Sequence, residues 1–446
     1  MKFYKKLFFL LPMALLVACS SDTATPTNPP DGGSSSPSGG GGSGENGGIA
    51  LPSTANASVP AAQYSVWKSL WLVSLKQEAA GGSTMSTSFF DQYPDATRVR
   101  WDGGDDRCEV TGLTSIDGQT FTTLMNKMTG CSVSEGIGYG MLIALFNDDK
   151  TTFDGLWGYN RGARKMGGSG LMPWQVVSFS RAISAVSALD ADLDVATALI
   201  LANYKWGNAA YLEDAKVLID AIYQYGINQE NKLIYPGPNW KTLDTYNPSY
   251  FSPVAFRLFA SVDKSHPWEE VLSANYAYMK KVQEAGATKA IFPDWTNANG
   301  EAYYGGSSAI AKSSYMLYFQ ESVRIPWRIA WDYYWYADER AGTILKNLGD
   351  FVASSAGNDP KNLPKNPYNY QTGSLATDFG ASGEHYLGAA CLSGFGVNTA
   401  WTDNCTSYFN TFEMSSTAGY NGAYFKQILQ MMFSSLLNGK FQKPNM

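Results

Sequence analysis

Apolar residues recur at helical spacing through most of the chain beyond residue 58, over 64–77, 137–146, 195–206, 211–225, 253–262, 268–285, 326–336, 341–353 and 423–437. Residues three and four apart share one face of a helix, so each of these stretches can bury a stripe. Alternation of period two, which a half-buried strand would need, is scarce. Helices of roughly ten to fifteen residues, joined by Gly, Pro and Asn-rich connections, predict a ring or bundle of helices in one all-α domain. No repeat of fixed period is visible, which argues against a solenoid.

The N-terminus is of another kind. Met1, Lys2, Phe3, Tyr4, Lys5 and Lys6 open a basic region, and an apolar run follows to Ala18. It is too short and wrongly flanked for a spanning helix and reads as an export signal. The run ends in Leu16, Val17, Ala18 and Cys19, which resembles a bacterial lipobox and implies that 1–19 is a lipoprotein signal with Cys19 as the lipidated residue. Such a lipid holds a protein to a membrane surface without a spanning segment. Ser20 and Ser21 after Cys19 fit delivery to the outer membrane or cell surface of a two-membrane bacterium. Residues 20–58 are mostly Ser, Gly, Pro and Thr, a composition that cannot repay its ordering entropy, and are expected to form a flexible tether. The folded domain is then expected over 59–446, undivided because no second linker appears.

With Cys19 set aside, Cys108, Cys131, Cys391 and Cys405 remain, in a chain expected where disulfides persist. Three pairings can be drawn. The short separations make Cys108 with Cys131 and Cys391 with Cys405 the simplest. There is no C-x-x-C, and His266 and His385 are the only histidines, so neither a metal centre nor a histidine-dependent triad is expected, and no cofactor. A formal charge of -6 argues against a nucleic-acid partner. Phe, Trp and Tyr make up 14% of the chain, rings enough to fill a core and still present flat faces to sugars.

Acidic and polar groups sit at a repeated address, the N-terminal entrance of a helix. Glu135 lies ahead of one apolar run, among Gly136, Gly138 and Gly140, which would let a ligand approach the backbone. Asp190, Asp192 and Asp194 precede another, the turn 247–250 precedes the helix opened by Pro253, and Glu321 stands just before Pro326. If these helices run parallel inside a barrel, the clusters converge at one mouth. Each acid also has a purely structural explanation. Ser132 and Glu135 have capping-box spacing, the three aspartates suit a helix's first turn, and Glu321 could pair with Arg324 or Arg328.

The context points further. Residues 134–141, Ser-Glu-Gly-Ile-Gly-Tyr-Gly-Met, followed by Phe153, Asp154, Gly155, Leu156 and Trp157, resemble the S-E-G-x-G-Y-G-M block of glycoside hydrolase family 8. Residues 188–206 are similar to that family's A-[ST]-D-[AG]-D-x-x-[IM]-A signature, with Leu189 and Val195 as mild departures. Residues 247–253 and 324–329 are similar to two further blocks in the same order, so the resemblance spans about residues 60 to 440.

The resemblance implies an (α/α)6 barrel, six inner and six outer helices, and an inverting hydrolase. Inversion requires one protonated carboxyl for the leaving oxygen and one carboxylate to activate water on the opposite face, roughly 6.5 to 9.5 Å apart. Glu135 matches the family's general acid, whose surroundings must raise its pKa. Asp190 matches the aspartate that holds the sugar at the cleavage point, and Asp192 is expected to support it. Cellulase-like members carry their base as aspartate in a Tyr-Asp-Ala-x-Arg pattern. Here Gln320, Glu321, Ser322, Val323 and Arg324 align with it, making Glu321 the expected base, with Asp294 and Asp332 in reserve. Glutamate adds one carbon-carbon bond, about 1.5 Å. Tyr250 matches the tyrosine that hydrogen-bonds the attacking water, and Arg324 is expected to orient the base or the sugar.

The Asp190-x-Asp192 block resembles the glucan and chitosan branches rather than the xylan-cutting one, and extra acids to bind cationic chitosan are not evident. A β-1,4-glucan, cellulose or mixed-linkage, is the expected polysaccharide partner of a monomeric enzyme. Trp174 and Trp240, with Trp157, Trp295 and Trp327, are candidate sugar platforms. Family members cutting chitosan or xylan, and a non-catalytic glycan-binding lipoprotein, are the alternatives. Binding alone would not need acids at three corresponding helix entrances.

Overall fold

The computed structural model describes residues 48–80, 88–101, 115–116, 119–120, 130–183, 185–416 and 423–446. Among them are twelve helices of ten residues or more. In chain order they are α1 (Ser58–Trp71), α2 (Ser134–Phe146), α3 (Lys150–Arg164), α4 (Leu189–Trp206), α5 (Ala209–Gly226) and α6 (Pro253–Val262). Then follow α7 (Trp268–Ala285), α8 (Ile325–Tyr336), α9 (Glu339–Ser355), α10 (Glu384–Ser393), α11 (Thr399–Phe409) and α12 (Ala423–Leu437).

The sequence of each helix decides its layer. From Gly136 to Leu145 every residue of α2 is buried, as is every residue of α4 from Leu189 to Ala202, so these helices have protein on all sides. In α5 only Tyr211, Ala215, Leu218, Ile219, Ala221, Ile222 and Gly226 are buried, one stripe of an otherwise polar helix. The contacts complete the pattern. Helix α2 packs on α4, α4 on α6, α6 on α8, α8 on α10, α10 on α12, and α12 back on α2. Outside this closed ring α3 packs on α2, α5 on α4, α7 on α6, α9 on α8, α11 on α10 and α1 on α12. Six inner and six outer helices form the expected (α/α)6 barrel. No helix among the described residues is long and apolar enough to cross a membrane.

Two local features set the site. Gly138 lets α2 and α4 touch, since a Cβ there would lie 3.0 Å from the Ala191 carbonyl oxygen and from the Asp194 Cβ. The glycines of this block therefore serve helix packing and not, as expected, a ligand's approach. A Cβ on Gly136 would likewise meet the Tyr424 hydroxyl at 2.8 Å. Second, the strand Cys131–Val133, paired antiparallel with Gln175–Val177, delivers the chain into α2.

The structure corrects several boundaries. The tether does not reach residue 58: Ile49 and Leu51 pack against the core. The Ser53 N–H donates to Asp403 at 2.8 Å and the Asn56 N–H to Asn438 at 2.7 Å, so polar backbone is satisfied there by the domain itself. Cys19 and most of the tether lie outside the described residues. The helix expected over 64–77 is shifted to Ser58–Trp71, because Leu72–Ser74 pairs as a strand with Thr97–Val99. Helices α3, α10 and α11 were not expected from spacing. In α3, Gly155, Gly158 and Gly162 thin the apolar stripe, yet a Cβ on Gly162 would meet Phe90 at 2.4 Å, so glycine is what allows that contact.

Cys391 and Cys405 form a disulfide between α10 and α11, with 5.1 Å between Cα atoms. Cys131 is also disulfide-bonded. Cys108 lies outside the described residues.

Candidate active site

Arg324, at the end of the turn Ser322–Arg324 that opens α8, organises the mouth. Its side chain is 4% exposed, and it has three carboxylate partners. Nη1 donates to Glu135 Oε2 at 2.5 Å and to Asp190 Oδ2 at 2.9 Å. Nη2 donates to Glu321 Oε2. A guanidinium presents five donors in a rigid planar fork that spreads them over separate acids, where a lysine has three rotatable donors on one nitrogen. The acids expected at three helix entrances thus meet on one cation. Glu135 is the second residue of α2, and Asp190 the second of α4.

The three aspartates do not precede α4 but lie inside it, and they divide by helical phase. Asp190 and Asp194 are one turn apart, as are Arg324 and Arg328, and they meet as two rungs. Asp194 accepts from Arg328 Nη1 and Nη2, at 2.7 and 2.9 Å. Asp192, about 200° round the helix from Asp190, turns away from Arg324 and accepts the Met172 N–H at 3.1 Å. Burial pushes its carboxyl up to about 8. Asp190 keeps one buried oxygen, Oδ1, without a hydrogen-bond partner among the described residues.

The capping box does not form, because Ser132 Oγ donates to the Val99 carbonyl at 2.7 Å. Glu135 instead faces the mouth, where Tyr424 Oη donates to Oε1 at 3.1 Å. Burial is the largest influence on Glu135 and outweighs Arg324; with help from Asp190 and Glu321 it pushes the carboxyl up to about 7. A carboxyl protonated near neutral pH can give a proton to a leaving group. Tyr424, the second residue of α12, was not foreseen, although it occupies the same kind of helix entrance as the acids.

Glu321 is held on the other side. Asn247 Nδ2 donates to its Oε2 at 2.7 Å, while Asn247 Oδ1 accepts from the Ser249 N–H and hydroxyl. With its side chain 30% exposed, Glu321 is the most open of the three acids bound to Arg324. The Tyr250 ring lies 5.5 Å from the Arg324 guanidinium carbon.

The reserve acids have other partners. Asp332 is locked by Arg257 at 2.7 Å and by the Tyr276 hydroxyl at 2.5 Å. Asp294 accepts the backbone N–H groups of Phe319, Gln320, Glu321 and Ser322, and the Ser322 hydroxyl. Burial raises its carboxyl towards about 7 while these donors favour the charged form.

Two aromatic groups flank the acids. Trp174 stands edge-on to Trp101, with centroids 6.2 Å apart, and its carbonyl accepts the Ser134 N–H beside Glu135. Trp240 is half-buried and stacks on Trp295 at 5.1 Å and 15°, with Tyr304 against both. Trp295 directly follows Asp294, which ties this group to the Glu321 side. Trp327 is fully buried, and Trp157, on outer helix α3, bonds Asp214, so neither is a sugar platform. A cavity of about 230 Å³ between α9, α10 and α11 contains none of the acids bound to Arg324.

Comparisons with known proteins agree with this geometry. The chain is 28% identical over 320 residues to Endoglucanase A of Acetivibrio thermocellus, covering 70% of this chain and 63% of that protein. It is 27% identical over 330 residues to a Beta-glucanase of Niallia circulans, covering 71% and 78%. The first three curated relatives are each matched over less than two thirds of their length. The Beta-1,3-1,4-glucanase from Paenibacillus sp. X4 shares the fold with a TM-score of 0.65 at 20% identity, over 89% of this chain and 97% of that one. The model for Glycosyl hydrolases family 8 matches residues 118–438, the whole inner ring of the barrel and its acids included, and the chain belongs to that family.

Proposed function

We propose that this protein hydrolyses internal β-1,4-glucosidic bonds of cellulose or mixed-linkage β-glucan with inversion, using Glu135 as general acid and Glu321 as general base. The observation that carries the proposal is the meeting of Glu135, Asp190 and Glu321 on Arg324, with Glu135 pushed up to about 7. Protonated Glu135 gives its proton to the glycosidic oxygen as the bond to the anomeric carbon breaks. Glu321, held by Arg324 and Asn247, takes a proton from the water that attacks from the opposite face. Asp190 Oδ1 is left to accept a sugar hydroxyl, and Tyr250 borders the water's position. Trp174 and Trp240 are the platforms on the two sides. The curated relatives include several endoglucanases and a β-glucanase beside one exo-oligoxylanase, which supports glucan over xylan.

Purified protein should release reducing ends from carboxymethyl cellulose or cereal β-glucan, and Glu135→Gln should lower the rate by about 10² to 10⁴. No release from any β-1,4-glycan would leave the glycan-binding alternative standing. We further propose that Cys19 is lipidated and the chain acts as a monomer tethered to the cell envelope. Cys19→Ser should then move it from the membrane to the soluble fraction.

A further inference from the structure

Glu321 stands in a turn whose shape is imposed from outside it. Four consecutive N–H groups, of Phe319, Gln320, Glu321 and Ser322, point at one carboxylate, that of Asp294, at 2.9 to 3.1 Å. The Ser322 hydroxyl adds a fifth bond at 2.7 Å and accepts the Phe319 N–H at 2.8 Å. Successive N–H groups that converge in this way form an anion-binding nest, filled here by a side chain 25 to 28 residues earlier in the sequence. Asp294 is itself fixed, since its N–H donates to the Leu317 carbonyl and the next N–H, of Trp295, to that of Tyr315. It is buried, and both of its oxygens are taken by donors of this turn.

We infer that Asp294 is a positioning residue: its carboxylate sets the 319–322 turn, and through it the place of Glu321 and of Arg324 at the entrance of α8. The Glu321 carbonyl accepts the Arg324 N–H at 3.1 Å from within the turn, while its own N–H is anchored by Asp294 from outside it. Among the described residues the side chain is held by Arg324 and Asn247, both of which a sugar or water could partly replace. An Asn at 294 keeps the shape but removes the charge and turns one acceptor into a donor facing an N–H group. The turn must then shift. A displacement of about 1 Å at a reacting group costs on the order of 10² in rate.

The inference rests on Glu321 acting as the base, so the experiment separates the two. Wild type, Asp294→Asn, Ser322→Ala and Glu321→Ala are compared on β-glucan, with and without azide, each variant's fold being checked by thermal unfolding. Asp294→Asn should lose about 10² in kcat with KM changed less than about threefold. Ser322→Ala, which removes one of the five donors, should lose less and keeps the test informative if Asp294→Asn does not fold. In Glu321→Ala, azide can take the place of water. Its nitrogen forms a bond to the anomeric carbon, the glycosidic bond breaks, and the leaving oxygen takes its proton from Glu135, giving a glycosyl azide. Azide should rescue Glu321→Ala and not Asp294→Asn. Wild-type kcat in folded Asp294→Asn, or in Ser322→Ala if that is the only folded variant, overturns the positioning role. A glycosyl azide from Asp294→Asn and none from Glu321→Ala overturns it too, by making Asp294 the base. An inactive wild type refutes the proposed hydrolysis instead.

Discussion

Glu135 links stability to pH in a way that can be measured without any substrate. Its carboxyl has an ordinary value of 4.5 and is pushed up to about 7 by burial, Arg324 opposing and Asp190 and Glu321 assisting. The folded protein therefore binds this proton more tightly than the unfolded chain. The stabilisation from it is complete below about pH 4.5 and is lost as pH rises through about 7. Each pKa unit is worth about 1.4 kcal/mol, so the whole effect is on the order of 3 kcal/mol, most of it falling between pH 5 and 8. The side chain is only 17% exposed, so water screens little of this. Glu135→Gln abolishes the titration. Urea unfolding of both proteins at pH 5 and pH 8 should show the variant gaining about 2 to 3 kcal/mol on wild type at the higher pH. The same proton sets the alkaline limb of kcat/KM near pH 7. Parallel stability curves for the two proteins, or an alkaline limb at ordinary carboxylate pH, would refute the assignment of a raised Glu135.

Tyr424→Phe removes a hydrogen bond that favours charged Glu135, so the alkaline limb of the pH–rate profile should move to higher pH. Arg324→Met leaves Glu135, Asp190 and Glu321 facing one another without their cation, and urea unfolding at pH 8 should show a loss of about 3 to 5 kcal/mol along with loss of activity. Cys391→Ser opens a bridge of sequence separation 14 between α10 and α11 and should cost about 3 kcal/mol, read from the same unfolding curves.

What the sequence reveals, and what it hides, follows from the range of the interactions. Helical spacing marks an amphipathic outer helix such as α7 to its end residues, because a single stripe is buried. It fails for α3, whose apolar face is broken by glycines, and for α10, which is buried nearly all round. Glu135 and Asp190 are legible because each is the second residue of an inner helix, and parallel inner helices put such residues at one end. The rungs Asp190 to Arg324 and Asp194 to Arg328 follow from i, i+4 spacing on two helices. Their pairing is not legible, since 134 residues separate the partners. Asp294 hides for the same reason. A buried acid between Pro293 and Trp295 looks like any reserve base, and only the converging N–H groups of a distant turn give it its work.

The stereochemistry of the first product tests the pairing of Glu135 with Glu321 most directly. Hydrolysis of a β-glucan oligosaccharide by wild-type protein, followed by proton NMR before mutarotation sets in, should show the α-anomer appearing first at the new reducing end. Glu321→Gln should form neither anomer at an appreciable rate. A β-anomer appearing first would mean retention, and Glu135 and Glu321 could not then be acid and base flanking a single attacking water.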